Sequence, residues 1–304
     1  MSIKEHPPQL ERSSVEPVHV PVLLDSVIDL LKPKKGERYL DLTAGYGGHA
    51  RAVIGKTENY SGSALVDRDQ FAVKHLQDLV RQGARMLEVD FVSAARQLID
   101  EGETFDMILA DLGVSSPQLD RQERGFSFQN SGPLDMRMDQ RQERTAEAIV
   151  NNYSKQQLID IIVKYGEEPR GRADKIAEAI IQNRPLSTTR QLADIVKQVS
   201  YKVGGHHPAT RTFQALRIEV NQELRLVGEL LPLLPKLMNS KGRVAIISFH
   251  SLEDRLVKRF FKDQAEAGYE AELDLLTKRP LDGSIYDVHN PRSRSAKLRA
   301  AVKK

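Results

Sequence analysis

Arg38-Tyr39-Leu40-Asp41-Leu42-Thr43-Ala44-Gly45-Tyr46-Gly47-Gly48-His49-Ala50 is the stretch on which the fold turns. Its first five residues read as a short apolar strand. The glycines then let the backbone turn sharply and approach a ligand without a Cβ in the way, and a helix with free N–H groups follows from about His49. Downstream, Ser63-Ala64-Leu65-Val66-Asp67 is a second strand, 70–80 a helix, 85–90 a third strand, 93–100 a helix and 105–112 a fourth strand. Upstream, residues 22–31 repeat apolar side chains at helical spacing and stop near Pro33 and Gly36. Four strands separated by helices predict an α/β fold, half of a doubly wound parallel sheet with right-handed crossovers.

From Gly113 to about Leu224 the strand pattern disappears. Residues 145–152, 154–165, 172–183 and 189–199 carry helical periodicity, with Ser154, Ser187 and Thr188 placed as caps. The pattern predicts an α/β domain at 19–113 and 223–304, interrupted by a helical insertion at 114–222 and preceded by a polar arm at 1–18. Helical pattern at 223–237 is broken by Pro232 and Pro235. Gly242-Arg243-Val244-Ala245-Ile246-Ile247-Ser248-Phe249 is the most strand-like run, followed by a helix at 252–263 and strands at 272–276 and 296–302.

The 304 residues include 45 Lys and Arg against 42 Asp and Glu, and no cysteine or tryptophan. The missing cysteines exclude a disulfide scaffold, a thiolate metal site and cysteine nucleophile chemistry. Neither a signal-peptide-length apolar run near the start nor a window of about 18 apolar residues is present, so the expectation is a soluble cytoplasmic protein. The net charge of +3 is unevenly spread. Residues 277–304 carry eight Lys and Arg against two acids, so the rest of the chain is slightly acidic. Such asymmetry points to an anionic partner or to a solvated tail.

The glycines alone admit several ligands, because Gly45-x-Gly47-x-x-Ala50 also meets the dinucleotide fingerprint. The strand-end acids narrow the choice. Asp67 ends the second strand, where a carboxylate can accept ribose hydroxyls. Asp90 and Phe91 follow the third, where an acid and a ring can take the amino group and face of adenine, and Asp111 ends the fourth. Such acids suit S-adenosyl-L-methionine, which carries an adenosine, an ammonium and a sulfonium but no phosphate, whereas they repel a pyrophosphate.

The motifs are specific as an ordered set. Asp41-x-Thr43-x-Gly45-x-Gly47-Gly48-His49, Asp67-Arg68-Asp69, Asp111-Leu112-Gly113-Val114-Ser115-Ser116-Pro117-Gln118, Arg124-Gly125-Phe126-Ser127-Phe128 and Gly132-Pro133-Leu134-Asp135-Met136-Arg137-Met138 come first. His207-Pro208-Ala209-Thr210-Arg211-Thr212-Phe213-Gln214-Ala215-Leu216-Arg217, Ser248-Phe249-His250-Ser251-Leu252-Glu253-Asp254 and Asn290-Pro291-Arg292-Ser293-Arg294-Ser295 complete it. Together they resemble the bacterial small-subunit ribosomal RNA cytosine-N4 methyltransferases, the RsmH (MraW) family, over almost the whole chain. The resemblance implies a class I S-adenosylmethionine-dependent methyltransferase fold, Rossmann-like with a helical insertion. It implies N4-methylation of one cytidine in the decoding region of 16S rRNA, with the rRNA or the small ribosomal subunit as partner. It places the cofactor on Gly47, Gly48, His49, Asp67, Phe91, Asp111 and Gln118, with Asp41 supporting the loop.

A cytosine amine is a poor nucleophile, so transfer benefits from an acceptor for its hydrogens. Asp111, or a backbone carbonyl within 111–116, is the candidate, since the chain lacks the Asp/Asn-Pro-Pro-aromatic loop of amino methyltransferases. Phe126 and Phe128 are candidate walls for the target base or, equally, anchors of the insertion core. Arg211, Arg217, Arg292, Arg294 and Arg299 are candidate phosphate contacts, with internal ion pairs as the alternative. His206, His207 and His250 lack a closely spaced ligand partner set, so no metal is expected. Two rival readings stay open, a nicotinamide-dependent oxidoreductase and a noncatalytic RNA-binding assembly factor. Oligomeric state is also open, a homodimer included. Carbon-5 methylation of cytosine ordinarily needs a cysteine, which attack by the amine does not.

Overall fold

Alternation along the strands sorts their side chains onto two faces of one sheet. In β4 (Phe105–Asp111), Ile108 and Ala110 join one apolar cluster while Met107 and Leu109 join another. In β5 (Met238–Ser248), Val244 and Ile246 are divided from Ala245 and Ile247 in the same way. Phe105 shares a face with Ile108, three residues on, because β4 bulges between them, the Asp106 and Met107 N–H groups both donating to the Arg38 carbonyl. The computed structural model describes residues 20–200 and 207–304. The arm at 1–18 and His206 lie outside the described residues.

The remaining strands are β1 (Tyr39–Asp41), β2 (Ala64–Val66), β3 (Arg85–Leu87), β6 (Leu273–Leu275), β7 (Leu281–Asp282) and β8 (Lys297–Lys303). They line up as β3-β2-β1-β4-β5-β8-β6, with β7 pairing to β8 off this path. The first five are mutually parallel, whereas β8 runs antiparallel to both β5 and β6. The chain winds outward from β1 to β3 and returns on the other side with β4. The switch point between β1 and β4 therefore opens a crevice at their carboxyl ends, where Asp41 and Asp111 stand.

The basic stretch 277–304 is not a free tail. Leu298, Ala300 and Ala301 alternate into the two sheet faces, which carries the segment into the sheet as β8. Two of its cations, Arg299 and Lys303, are used internally. Arg299 forks onto Asp254 at 2.7 and 3.1 Å, and the Lys303 ammonium donates to the carbonyls of Pro235 and Met238. Arg299 is thus an internal ion pair and not a phosphate contact.

Among the described residues between β4 and β5 there is no strand, only an isolated bridge from Pro133 to Thr188. Helices Ala146–Asn152, Lys155–Gly166, Arg170–Gln182, Thr189–Val199 and Thr210–Asn221 surround an apolar cluster of their own. Ser154 and Thr188 cap their helices in reciprocal boxes with Gln157 and Gln191. Ser187 does not cap, because its N–H and hydroxyl both donate to Gln191 Oε1. The expected helix at 70–80 splits into Gln70–Lys74 and Gln77–Arg81, since the His75 and Leu76 N–H groups bond three residues back and tighten the chain between them.

Candidate functional site

The loop after β1 is held from beneath by Asp41. This buried carboxylate accepts from the Tyr39 hydroxyl at 2.8 Å and the Thr43 N–H at 3.2 Å. Thr43 Oγ1 in turn accepts the Asp111 N–H at 2.6 Å, which ties the ends of β1 and β4 together. Gly45 takes φ +52° and donates its N–H to Asp67 Oδ2 at 2.7 Å. The other oxygen of Asp67 accepts from the Asp69 N–H at 2.7 Å, so both are fixed by backbone donors before any ligand arrives.

These elements enclose a cavity of about 750 Å³. Gly48, His49, Asp67, Phe91, Asp111 and Gln118 line it. Gly47 does not. It sits at φ +81° before helix Gly48–Thr57, where a Cβ would come within 2.4 Å of Arg51 Nη1 and 2.7 Å of Leu76 Cδ2. Glycine is therefore favoured there by the left-handed backbone, with two side-chain ends crowding the position, and Gly45 and Tyr46 supply the loop's lining instead. Asp90 lines the cavity, but its carboxylate is engaged in capping the next helix. Oδ1 accepts from the Val92 and Ser93 N–H groups, and Oδ2 accepts from the Ser93 hydroxyl. Gln118 is fixed at both ends, accepting the Ser115 N–H and donating to Asp69 Oδ2 at 2.7 Å.

The expected substrate residues separate into groups. Phe126 is buried in the insertion core, and Phe128 packs on Phe213 and His207, so neither walls the cavity. Arg211 lies outside it, donating to the Glu167 carbonyl. Arg217 lines it but is held by both oxygens of Glu223 at 2.9 Å, which makes it an ion-pair partner. Arg292 lies at the cavity and its Nη2 donates to both oxygens of Asp120, while Arg294, which does not line the cavity, is exposed between the lining residues Arg292 and Ser295 in the chain.

Sequence reading missed the opposite wall, formed by Gln214, Glu223, Phe249, His250 and Glu253. The signal was the strand-to-helix passage Ser248-Phe249-His250-Ser251-Leu252-Glu253, with an acid three residues beyond a cap position. Glu223, His250 and Glu253 offer ligand atoms within 4.8 Å of one another. Both Glu223 oxygens are held by Arg217, and Glu253 Oε2 accepts the Phe249 N–H, so these acids are already occupied by protein donors.

Burial raises the carboxyl of Asp67 to about 6 and that of Asp41 to about 7. Burial, with Asp41 and Glu253 nearby, holds Asp111 well above the ordinary carboxylate range. Among the described residues neither Asp67 nor Asp111 is paired with a lysine or arginine. Of the cavity's four arginines, Arg51 pairs with Asp78, Arg217 with Glu223 and Arg292 with Asp120. Arg68 bonds to the Asn221 carbonyl and the Met138 sulfur. This donor set fits S-adenosylmethionine, whose two cations relieve the crowded carboxylates, and it disfavours a pyrophosphate.

A pH dependence follows. A carboxyl whose pKa is raised in the free protein must lose its proton before it can accept from both ribose hydroxyls, as assigned to Asp67, or face a cation, as open to Asp111. S-adenosylmethionine affinity should therefore fall below about pH 6, by up to about tenfold per unit for each group that must ionise. Calorimetry in buffers of different ionisation heat should register proton release there. Unchanged affinity from pH 5 to 8 would contradict the assignment of Asp67.

A parallel sheet ordered around a β1/β4 switch point, with β8 reversed between β5 and β6, is the arrangement of a class I S-adenosylmethionine-dependent methyltransferase, and the cavity suits that cofactor. The oxidoreductase reading is thereby set aside. The chain belongs to the MraW methylase family, whose model matches residues 16–304. It is 45% identical to a ribosomal RNA small subunit methyltransferase H of Acidobacterium capsulatum, across 94% of this chain and 98% of that protein. It is 46% identical to one of a Cyanothece species, across 95% and 96%. A Streptococcus mutans structure in complex with SAH aligns at TM-score 0.47 and 10% identity, covering 94% of this chain and all of that one.

Proposed function

We propose that this protein transfers a methyl group from S-adenosylmethionine to the N4 amine of a cytidine in the decoding region of 16S rRNA, in the cytoplasm where ribosomes assemble. Family membership supports the reaction class, and the named relatives support the small-subunit rRNA as substrate. Among the described residues no helix is long and apolar enough to cross a membrane.

The observation that carries the chemistry is Asp111. Its Oδ1 is buried at the cavity and accepts no hydrogen bond, an arrangement rare in folded proteins unless a ligand completes it. When bound, the cofactor supplies an electrophilic methyl on a sulfonium, whose carbon–sulfur bond breaks as N4 bonds to carbon. Asp111 Oδ1 accepts an N4 hydrogen and takes the proton that the amine must lose. A carboxyl raised by burial is a better base than an exposed one. Gly48, His49, Asp67, Phe91 and Gln118 are the proposed cofactor contacts, and residues 114–222 the proposed substrate-recognition insertion. Arg292 and Arg294, at and beside the cavity, are the proposed phosphate contacts.

Incubation with labelled S-adenosylmethionine and small subunits from a strain lacking this enzyme should incorporate one methyl group per subunit. Binding without incorporation would identify an assembly factor and overturn the proposal.

A further inference from the structure

The wall opposite the cofactor loop contains a donor and an acceptor side by side. His250 precedes helix Ser251–Glu266, and its Nδ1 accepts the Glu253 N–H at 3.4 Å. In the neutral ring the proton therefore sits on Nε2. The His250 side chain is only 9% exposed, and Nε2 makes no hydrogen bond. It lies 3.2 Å from Glu253 Oε1 without hydrogen-bond geometry. Glu253 is buried, which pushes its carboxyl up, but His250, Arg217 and the Phe249 N–H outweigh this and hold it below its ordinary value. It is therefore an ionised acceptor. Glu253 also lies close enough to Asp111 to influence its ionisation, so the two carboxylates serve one part of the cavity.

We infer that His250 and Glu253 form the nucleobase-reading subsite: Nε2–H donates to cytosine N3, and Glu253 Oε1 accepts one hydrogen of the neighbouring N4 amine. This rests on the methyl-transfer reading above. Cytosine presents an acceptor at N3 beside a donor at N4, the complement of the His250–Glu253 pair. Uracil presents the reverse, N3–H beside O4, which would set donor against donor and a carbonyl oxygen against a carboxylate. Two acceptors, Glu253 and Asp111, then serve the two amine hydrogens. One holds the amine in place and the other removes its proton. Arg217, clamping Glu223 against the same grouping, joins this wall to the helical insertion through helix Thr210–Asn221.

His250 also caps its helix, so the test must separate the two roles. Asparagine is an equally good cap but too short to bring a donor to the same point. His250→Asn should keep the wild-type melting temperature and S-adenosylmethionine affinity. Its kcat on unmodified small subunits should fall at least about tenfold, the cost of an unread polar edge. A His250→Asn protein with wild-type kcat overturns the inference. Independently of any variant, wild-type protein should methylate a substrate RNA carrying 3-deazacytidine at the target, which lacks the N3 acceptor, at least about tenfold more slowly than the cytidine form. Equal rates overturn the inference and leave the methyl-transfer reading intact. Failure of the wild-type protein to methylate even the cytidine substrate overturns both.

Discussion

Asp111→Asn should lower methyl transfer by about 10²- to 10⁴-fold, the range for removing a positioned proton acceptor, without destabilising the protein. The substitution keeps the shape of the side chain. The backbone N–H of residue 111 still donates to Thr43 Oγ1, so the join between β1 and β4 survives. What is lost is the carboxylate that accepts the amine proton. Stability should move in the opposite direction. The folded-state pKa of Asp111 is raised above its unfolded value by burial and by Asp41 and Glu253. The folded protein therefore binds more protons than the unfolded chain, and Asp111 increasingly opposes folding as pH rises through that interval. A neutral amide removes this penalty, so the melting temperature of Asp111→Asn should match or exceed wild type at pH 8. An inactive variant that also melts earlier at pH 8 would mark Asp111 as a structural residue. A fully active one would remove it from the chemistry.

Arg124→Met should cost about 3–5 kcal/mol, the price of leaving a buried partner charge unpaired. Arg124 is 1% exposed, and its Nη1 donates to Asp69 Oδ2 at 2.9 Å, where Gln118 Nε2 also arrives at 2.7 Å. Its Nη2 donates to the carbonyls of Arg137 and Met138. One guanidinium thus joins the loop after β2 to two segments of the insertion and fixes Gln118 at the cavity. In a chain of this size the loss corresponds to a fall in melting temperature on the order of 10 °C. Combining Arg124→Met with Asp69→Asn should recover part of it, because no unpaired carboxylate is then left buried. Additive losses in the double variant would show that the pair is not the source of the stability.

The sheet was legible because its strands are buried on both faces and so read as short apolar runs closed by acids. Asp41 and Asp111 mark strand ends in the sequence and end β1 and β4 in the structure. The helical insertion was legible through periodicity, although helix Thr210–Asn221 was hidden because its buried face includes polar Thr212 and Asn221. Pattern could not show which glycine meets the cavity. Gly45 and Gly47 both have positive φ, and only the approach of Arg51 and Leu76 separates a packing glycine from a lining one. Charge was misleading for a similar reason. Arg217 and Arg299 look available for phosphate in the sequence, but Glu223 and Asp254, at 6 and 45 residues' distance, take them. Phe126 and Phe128 sit in a Gly- and Arg-rich turn that resembles a binding loop, yet helix Thr210–Asn221 draws Phe213 against Phe128 and closes them into a core. The wall of His250 and Glu253 combines residues on both sides of a helix cap. Their facing Asp111 depends on β5 lying beside β4, a pairing that no local pattern encodes.

The roles of Asp111 and of the acidic cavity require the amine nitrogen as the methylated atom, and nucleoside mass spectrometry tests that most directly. Small subunits from a strain lacking the enzyme, treated with the purified protein and S-adenosylmethionine and then digested, should yield N4-methylcytidine from a single position in the decoding region. Methylation found instead at carbon 5 or at a ribose hydroxyl would contradict the assignment of Asp111 as proton acceptor and of the acidic cavity as an amine site.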